Sequence, residues 1–274
     1  MPEVDPIFAR LEFSRECARE AGELTLRAFR SRRFAVDAKD DGSHVTDADR
    51  DAETLIRDAL ERVFPDDGVF GEEHGERPGT SGYRWLIDPI DGTASFVHGV
   101  PLYGTLIAVE RDGASVAGVI HMPALGETVH AARGHGAWHT TPESREAAPA
   151  RVSTTQTLRE SLLVMTAFDY FAKAGREAVF ARLARAFART RGWSDCYAHL
   201  LVATGRAEAA VEPSIKPWDV APMTVILEEA GGRYTDWHGR ASAYGPDGAS
   251  TNGLIHEELL ATLRVGDPRT GRYG

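Results

Sequence analysis

The period of the apolar residues changes twice along this 274-residue chain, and those changes limit the fold more than any single motif does. From Asp5 to about Arg30 the sequence is rich in Ala, Leu, Glu and Arg, with no proline beyond Pro6, and predicts a helix. Arg32 and Arg33 then lead into an extended segment. A second helix follows, because Ala52, Leu55, Ile56, Ala59, Leu60 and Val63 recur at the three-and-four spacing of one buried face and Pro65 marks its end. Thr46, with Asp49 three residues on, has the pattern of a capping box. Beyond it the pattern turns to strands: Tyr83 to Asp88, then Thr105 to Glu110 joined to Ser115 to Ile120 through Asp112-Gly113, then Thr128 to Ala132 and Gly136 to His139. After the polar stretch Thr140 to Pro149, strands and helices alternate. Strands are predicted at Leu162 to Thr166 and Ala209 to Glu212, and helices at Arg176 to Phe187, at Cys196 to Thr204 and from Pro217 to a stop at Gly231-Gly232. That order predicts a layered α/β sandwich. At about 150 residues per domain the length allows two tightly joined lobes, 1–148 carrying the first acidic motifs and 149–274 completing the site.

Composition narrows the class. A net charge of -10, with 42% hydrophobic and 26% charged residues, is that of a soluble globular protein. No run approaches the roughly 18 apolar residues of a membrane span, and the N-terminus lacks the basic start and apolar stretch of a signal peptide. Cys17 and Cys196 form no C-x-x-C and are too few for a disulfide scaffold, so a cytoplasmic protein with two buried thiols is expected. The acidic balance argues against nucleic acid and membrane partners. An anionic small-molecule ligand would need positive charge from elsewhere.

Familiar catalytic signatures are absent. None of Lys39, Lys173 and Lys216 follows a glycine, so there is no P-loop, and neither H-E-x-x-H nor G-x-S-x-G occurs. The strongest signal is acidic: Trp85-Leu86-Ile87-Asp88-Pro89-Ile90-Asp91-Gly92-Thr93. A strand ending at Asp88, a turn fixed by Pro89, and Asp91 three residues later would aim both carboxylates at one point, a place for a hard cation. Gly92-Thr93 would then open a helix over Ala94 to Val97, whose free amides favour an anion. A plain surface turn with an aspartate cap fits the same residues. Glu72, in Gly71-Glu72-Glu73-His74, stands at another strand end, and Asp219 lies in the first turn of the helix from Pro217. Taken singly, each is also an ordinary loop charge or dipole-complementing residue. Together Glu72, Asp88, Asp91 and Asp219 carry four negative charges, which two Mg²⁺ would balance before a phosphate arrives.

These residues resemble the inositol monophosphatase family of Mg²⁺-dependent, lithium-sensitive phosphatases. The resemblance rests on Val45 to Asp49, Gly71 to Glu73, Asp88 to Thr93, Trp218 to Ala221 and Glu229 to Gly232, in that order and over nearly the whole chain. It implies an αβαβα sandwich, usually a homodimer. It implies one metal at Glu72, Asp88 and the Ile90 carbonyl, a second at Asp88, Asp91 and Asp219, and a weaker third that shares Glu72, with Mn²⁺ able to substitute. It further implies that Asp49 and the Thr93 hydroxyl orient the attacking water, and that the backbone of Gly92 and Thr93 binds phosphate. Asp49 also reads as the acid of a capping box with Thr46.

The substrate depends on residues outside the metal cluster. The stretch Arg191 to His199, with Lys216 to Asp219 and Tyr234 to Trp237, looks most like the histidinol-phosphate phosphatase branch. Ser194 replaces the glycine usual before the aspartate of its G-D-C-Y motif, and Ala198 stands where glycine is common. Substrate contacts are expected from Asp91, Arg191, Asp195, Glu212 and Asp219, since acids around the head of a cationic ester would favour it over a neutral polyol. Arg191 would hold Asp195 or the phosphate; a structural ion pair of these two at a helix start is the plainer alternative. Trp193 and Tyr197 read as packing residues. Inositol 1-phosphate, fructose bisphosphate and a 3'-phosphonucleotide are the alternative substrates, and a degenerate scaffold protein is the non-enzymatic one. His74, His121, His130 and His135 lack zinc-ligand spacing. Lys39, in an Asp-Gly-rich loop, reads first as a solvated lysine, with approach to the metals in a closed state as the alternative, and the Arg-rich stretch Arg176 to Arg191 as a charged helical face.

Overall fold

The computed structural model describes residues 5–39, 42–144 and 146–265. Helix α1 (Pro6–Ser31) starts with the Asp5 carboxylate accepting the Ile7 amide. The extended segment that follows is a two-stranded ribbon, β1 (Val36–Ala38) and β2 (His44–Thr46), and it leads into α2 (Asp47–Val63). Then come β3 (Gly68–Gly71), β4 (Gly75–Arg77), β5 (Tyr83–Asp91), α3 (Thr93–His98), β6 (Gly104–Arg111), β7 (Ala114–Met122), β8 (Glu127–Ala132), β9 (Ala137–Thr140) and β10 (Ala148–Pro149). The rest comprises β11 (Leu162–Met165), α4 (Phe168–Lys173), α5 (Glu177–Ala186), β12 (Arg189–Gly192), α6 (Asp195–Ala203), β13 (Ala209–Glu212), α7 (Pro217–Ala230), β14 (Arg233–Thr235), β15 (Gly248–Thr251) and α8 (His256–Arg264).

Two sheets organise these elements. One has eight strands in the order β10-β9-β8-β7-β6-β5-β3-β4; the other has five, β12-β11-β13-β15-β14. Within the first, β3 and β5 run parallel and the other neighbours antiparallel.

Strand periodicity shows the layering. Trp85, Ile87, Ile107 and Val109 bury one face of the large sheet against Leu11 and Ala18 of α1 and Ile56 and Leu60 of α2. Their strand neighbours Leu86, Leu106 and Ala108 face the other way, where Leu200, Val202, Val220, Met223 and Ile226 of α6 and α7 meet them. Val164 and Ala210 close that middle layer from the small sheet. Leu163 and Ala209 look outward to Phe171, Leu183, Leu259 and Leu263 on the outer helices. Helix, sheet, helix, sheet, helix: the fold is the αβαβα sandwich.

Some boundaries differ from those read in the sequence. β5 does not stop at Asp88; it runs to Asp91, and its pairing with β6 shifts register between the two aspartates. Pro89 therefore sits in a bulge, where its missing N–H costs no ladder bond, and makes no turn. The Arg-rich stretch is not one helix, since α5 ends at Ala186 and Arg189 to Gly192 form the edge strand β12, a position that tolerates charged side chains. Val63 is exposed, so the buried stripe of α2 is narrower than its apolar pattern. Among the described residues no helix is long and apolar enough to cross a membrane.

Candidate active site

The bulge in β5 makes the site. In regular β structure, side chains three positions apart point to opposite faces. The register shift turns Asp91 back toward Asp88, and α7 brings Asp219 to the same place. Carboxylate oxygens of Asp88, Asp91 and Asp219 all lie within 4.8 Å of one another. Asp219 keeps its helix-start role as well: one oxygen accepts the Lys216 amide at 2.8 Å. Asp91 accepts the Cys196 amide at 2.5 Å, which fixes it to the start of α6. Asp88 accepts the Ile90 amide at 3.0 Å, and the Thr93 hydroxyl donates to the Ile90 carbonyl at 3.0 Å.

Glu72 follows β3 directly. The Glu72 amide donates to the Ile87 carbonyl at 3.1 Å, which seats it beside the strand that carries Asp88. Its carboxylate is not free. Lys39 donates to Glu72 at 2.6 Å and to Glu73 at 2.7 Å, so this lysine is tied to the acidic cluster and is not the solvated side chain its sequence context suggests.

Asp49 closes the capping box with one oxygen and leaves the other toward Thr93. Oδ2 accepts the Thr46 amide at 2.8 Å and the Thr46 hydroxyl at 2.5 Å, completing the capping box. Oδ1 faces the Thr93 hydroxyl at 3.4 Å.

Burial and mutual repulsion shape the electrostatics. Burial pushes the Asp88 and Asp91 carboxyls well up, and their acidic neighbours push further: Glu72, Asp91 and Asp219 on Asp88, and Asp195 and Asp219 on Asp91. Burial likewise raises Asp49 and Asp219 to about 7. These are hard oxygen donors that cannot all ionise together without a counter-charge, and that is the donor set a divalent cation fits.

A second acidic pair borders the first. The Thr166 amide donates to Glu212, the last residue of β13, at 2.9 Å, and the Thr166 side chain also holds Asp195. Burial, with Asp195 adding to it, raises Glu212 to about 8. Gly92 packs against Asp195 of this pair: its φ is +86°, and a Cβ there would lie 3.1 Å from Asp195 Oδ2 and 2.9 Å from the Leu102 carbonyl. Asp195 starts α6, and Ser194 before it, in the glycine position of the motif, adopts φ 60° and ψ 135°. The Ser194 hydroxyl meets Ser95 Oγ at 2.9 Å and also bonds Asp195.

Of the residues singled out in the sequence, Asp49, Glu72, Asp88, Ile90, Asp91, Gly92, Thr93, Asp195, Glu212 and Asp219 come together, and Arg191 does not. It is exposed, its guanidinium turns back to the Thr190 carbonyl at 2.8 Å, and it pairs with no acid among the described residues. Thr166 and Glu53 were not apparent as site residues. Glu53 had a legible signal, a charge on the buried face of α2 in line with Asp49, Ala52 and Ile56.

Comparison with known proteins decides the family. A sequence profile of the inositol monophosphatase family matches residues 9–266. The chain belongs to the inositol monophosphatase family. It is 45% identical to a Chlorobaculum parvum protein named histidinol-phosphatase, over 94% of this chain and 97% of that one. A Mycobacterium tuberculosis histidinol-phosphatase is 39% identical, with 91% and 95% covered. Among solved structures, a Thermotoga maritima IMPase superposes with a TM-score of 0.82 at 33% identity, covering 94% of this chain and 97% of that one. This inositol monophosphatase relative is a phosphoric monoester hydrolase, and its acidic cluster is that of a metal-dependent family.

Proposed function

We propose that this chain hydrolyses L-histidinol phosphate to L-histidinol and phosphate, using two to three Mg²⁺, with Mn²⁺ able to replace them. The observation that carries the reading is the convergence of Asp88, Asp91 and Asp219 with Asp195 and Glu212 alongside. Relatives named histidinol-phosphatase at 45% and 39% identity support the substrate.

Glu72, Asp88, the Ile90 carbonyl, Asp91 and Asp219 would hold the ions. When bound, they supply Lewis acidity toward the phosphate and a water of lowered pKa. The rest of the chemistry belongs to the chain's own groups. Asp49 Oδ1 and the Thr93 hydroxyl orient the attacking water for in-line displacement. The Gly92 and Thr93 backbone holds the phosphate at the start of α3. Asp195, beside Gly92, and Glu212, held by Thr166, face the ammonium and imidazole of the substrate, which a neutral polyol lacks. The same reading makes the protein a cytoplasmic homodimer that is inhibited by lithium; two free, buried cysteines are consistent with a reducing compartment.

Phosphate release from histidinol phosphate, inositol 1-phosphate, fructose 1,6-bisphosphate and a 3'-phosphonucleotide, with Mg²⁺ and with chelator, tests it. Metal-dependent preference for histidinol phosphate supports the reading. A preference for inositol phosphate or fructose bisphosphate moves the substrate to that of the 35% identical Thermotoga maritima relative, named fructose-1,6-bisphosphatase/inositol-1-monophosphatase. No release on any ester defeats it.

A further inference from the structure

The turn that carries Glu72 is built against α2, and one buried carboxylate does most of the holding. Glu53 is fully buried, with no solvent-exposed surface. Its Oε2 accepts the Glu73 amide at 2.7 Å, and its Oε1 accepts the His74 amide at 3.2 Å and Arg57 Nε at 2.7 Å. Arg57 reaches on to the Gly75 carbonyl, and the His74 ring meets the Thr54 hydroxyl at 3.1 Å and the Arg50 carbonyl at 3.2 Å. One face of α2 therefore grips residues 73–75 throughout. Gly71 makes room for it: a Cβ there would lie 2.0 Å from Glu53 Oε1, so any larger residue would expel the carboxylate.

We propose that Glu53 is a positioning residue for Glu72: by accepting the amides of the next two residues from inside the core, it fixes the direction in which the Glu72 carboxylate leaves β3. The inference rests on the metal-site reading above. Glu72 is pinned on its other side by the Ile87 carbonyl, one residue from Asp88, so its backbone is held between the strand that carries Asp88 and Asp91 and the helix that carries Asp49. The same helix carries Asp49, four residues before Glu53. α2 thus sets the water-orienting acid and the outermost metal acid relative to each other.

A glutamine at 53 has nearly the same shape but the wrong chemistry. Three donors converge on two acceptor oxygens, and an amide NH₂ would set a donor against a donor. Glu53→Gln and Glu53→Asp are compared with wild type and with Glu61→Gln, a change at an exposed site on the same helix. Mn²⁺ affinity is measured by calorimetry on each folded protein. The expected result is a 10- to 100-fold loss of Mn²⁺ affinity in Glu53→Gln, the usual range for groups that support metal ligands, with kcat at saturating metal within a few-fold of wild type and Glu61→Gln unchanged. Unaltered Mn²⁺ affinity in folded Glu53→Gln overturns the proposal and leaves the metal site intact, whereas a wild type that binds no Mn²⁺ removes the reading it depends on. Amide exchange in wild type tests the same clamp without any variant: the Glu73 and His74 amides must exchange slowly although they lie in a turn, and fast exchange there overturns the proposal as well.

Discussion

Lys39 donates to Glu72 at 2.6 Å, on a carboxylate proposed above to bind metal. On that proposal an ammonium and a divalent cation compete for one group, and Glu73 holds the same lysine at 2.7 Å. Replacing the lysine should ease cation entry. In Lys39→Met, the Mg²⁺ concentration for half-maximal activity is expected to fall roughly 2- to 5-fold, a modest effect because the pair is only partly buried. A metal titration of phosphate release measures it. An increase in the required Mg²⁺ would mean that Lys39 helps to assemble the site.

Asp49 Oδ2 is spent on Thr46, and Oδ1 is directed at Thr93, so its capping role and its proposed water-orienting role separate by measurement. A cap alone is worth about 0.5–2 kcal/mol, whereas an acid that orients or deprotonates water is worth about 10²- to 10⁴-fold in rate. Asp49→Asn should therefore lose at least about 100-fold in kcat while Mn²⁺ affinity by calorimetry stays near wild type. A variant that melts earlier but turns over normally once folded would reduce Asp49 to a cap.

Ser194 pays for its position with backbone strain. At φ 60° and ψ 135° a side chain costs about 1–3 kcal/mol, and glycine removes that cost. The hydroxyl's bonds to Ser95 and Asp195 would be lost at the same time. The two effects predict opposite outcomes in two assays: Ser194→Gly melts a few degrees higher, about 2–4 °C per kcal/mol for a chain near this size, yet its KM for histidinol phosphate rises. If KM is unchanged, the Ser194 hydroxyl has no part in aiming Asp195.

Charge at the substrate head is testable by selectivity. Asp195 and Glu212 share Thr166, and Asp195 lies beside Gly92. Asp195→Asn is expected to raise KM for histidinol phosphate by about 10-fold or more, the order of one lost charge-assisted hydrogen bond, and to leave KM for inositol 1-phosphate nearly unchanged. Equal losses on both esters would show that Asp195 acts through Asp91 and not through the substrate's cation.

Much of this could be read in the sequence, because the fold's layers follow from periodicity and the acids lie in compact motifs. Ile56 and Leu60 signalled the buried face of α2, and the alternation at Leu86 and Ile87 follows directly from the strand period. What stayed hidden depends on tertiary register. A bulge between Asp88 and Asp91 leaves no mark in a run that reads as strand, proline, turn. Arg191 opens the stretch that carries the resemblance, but it belongs to an edge strand and its side chain turns back to the neighbouring carbonyl. Thr166 contributes a backbone amide to Glu212, and backbone amides carry no residue-type signal.

The buried histidines predict the acid limb of stability. His199 lies in the middle layer, with Nδ1 2.6 Å from Ser250 Oγ, and burial lowers its pKa from 6.5 to about 4. A histidine in the unfolded chain takes up its proton near pH 6.5, and the folded protein refuses it until about pH 4. Between those values the unfolded state binds more protons, so stability is lost as pH falls, at up to about 1.4 kcal/mol per pH unit for this one group. His121, lowered to about 4 by the same cause, adds in the same direction. Asp49 and Asp219 act oppositely in metal-free protein, because their raised carboxyls favour the fold at low pH and lose that benefit as pH rises through about 7. Comparing variant with wild type cancels those terms. Urea midpoints at pH 7.5, 5.5 and 4.5 should fall less steeply with acid in His199→Asn than in wild type, while parallel curves would show that His199 is not held neutral in the fold.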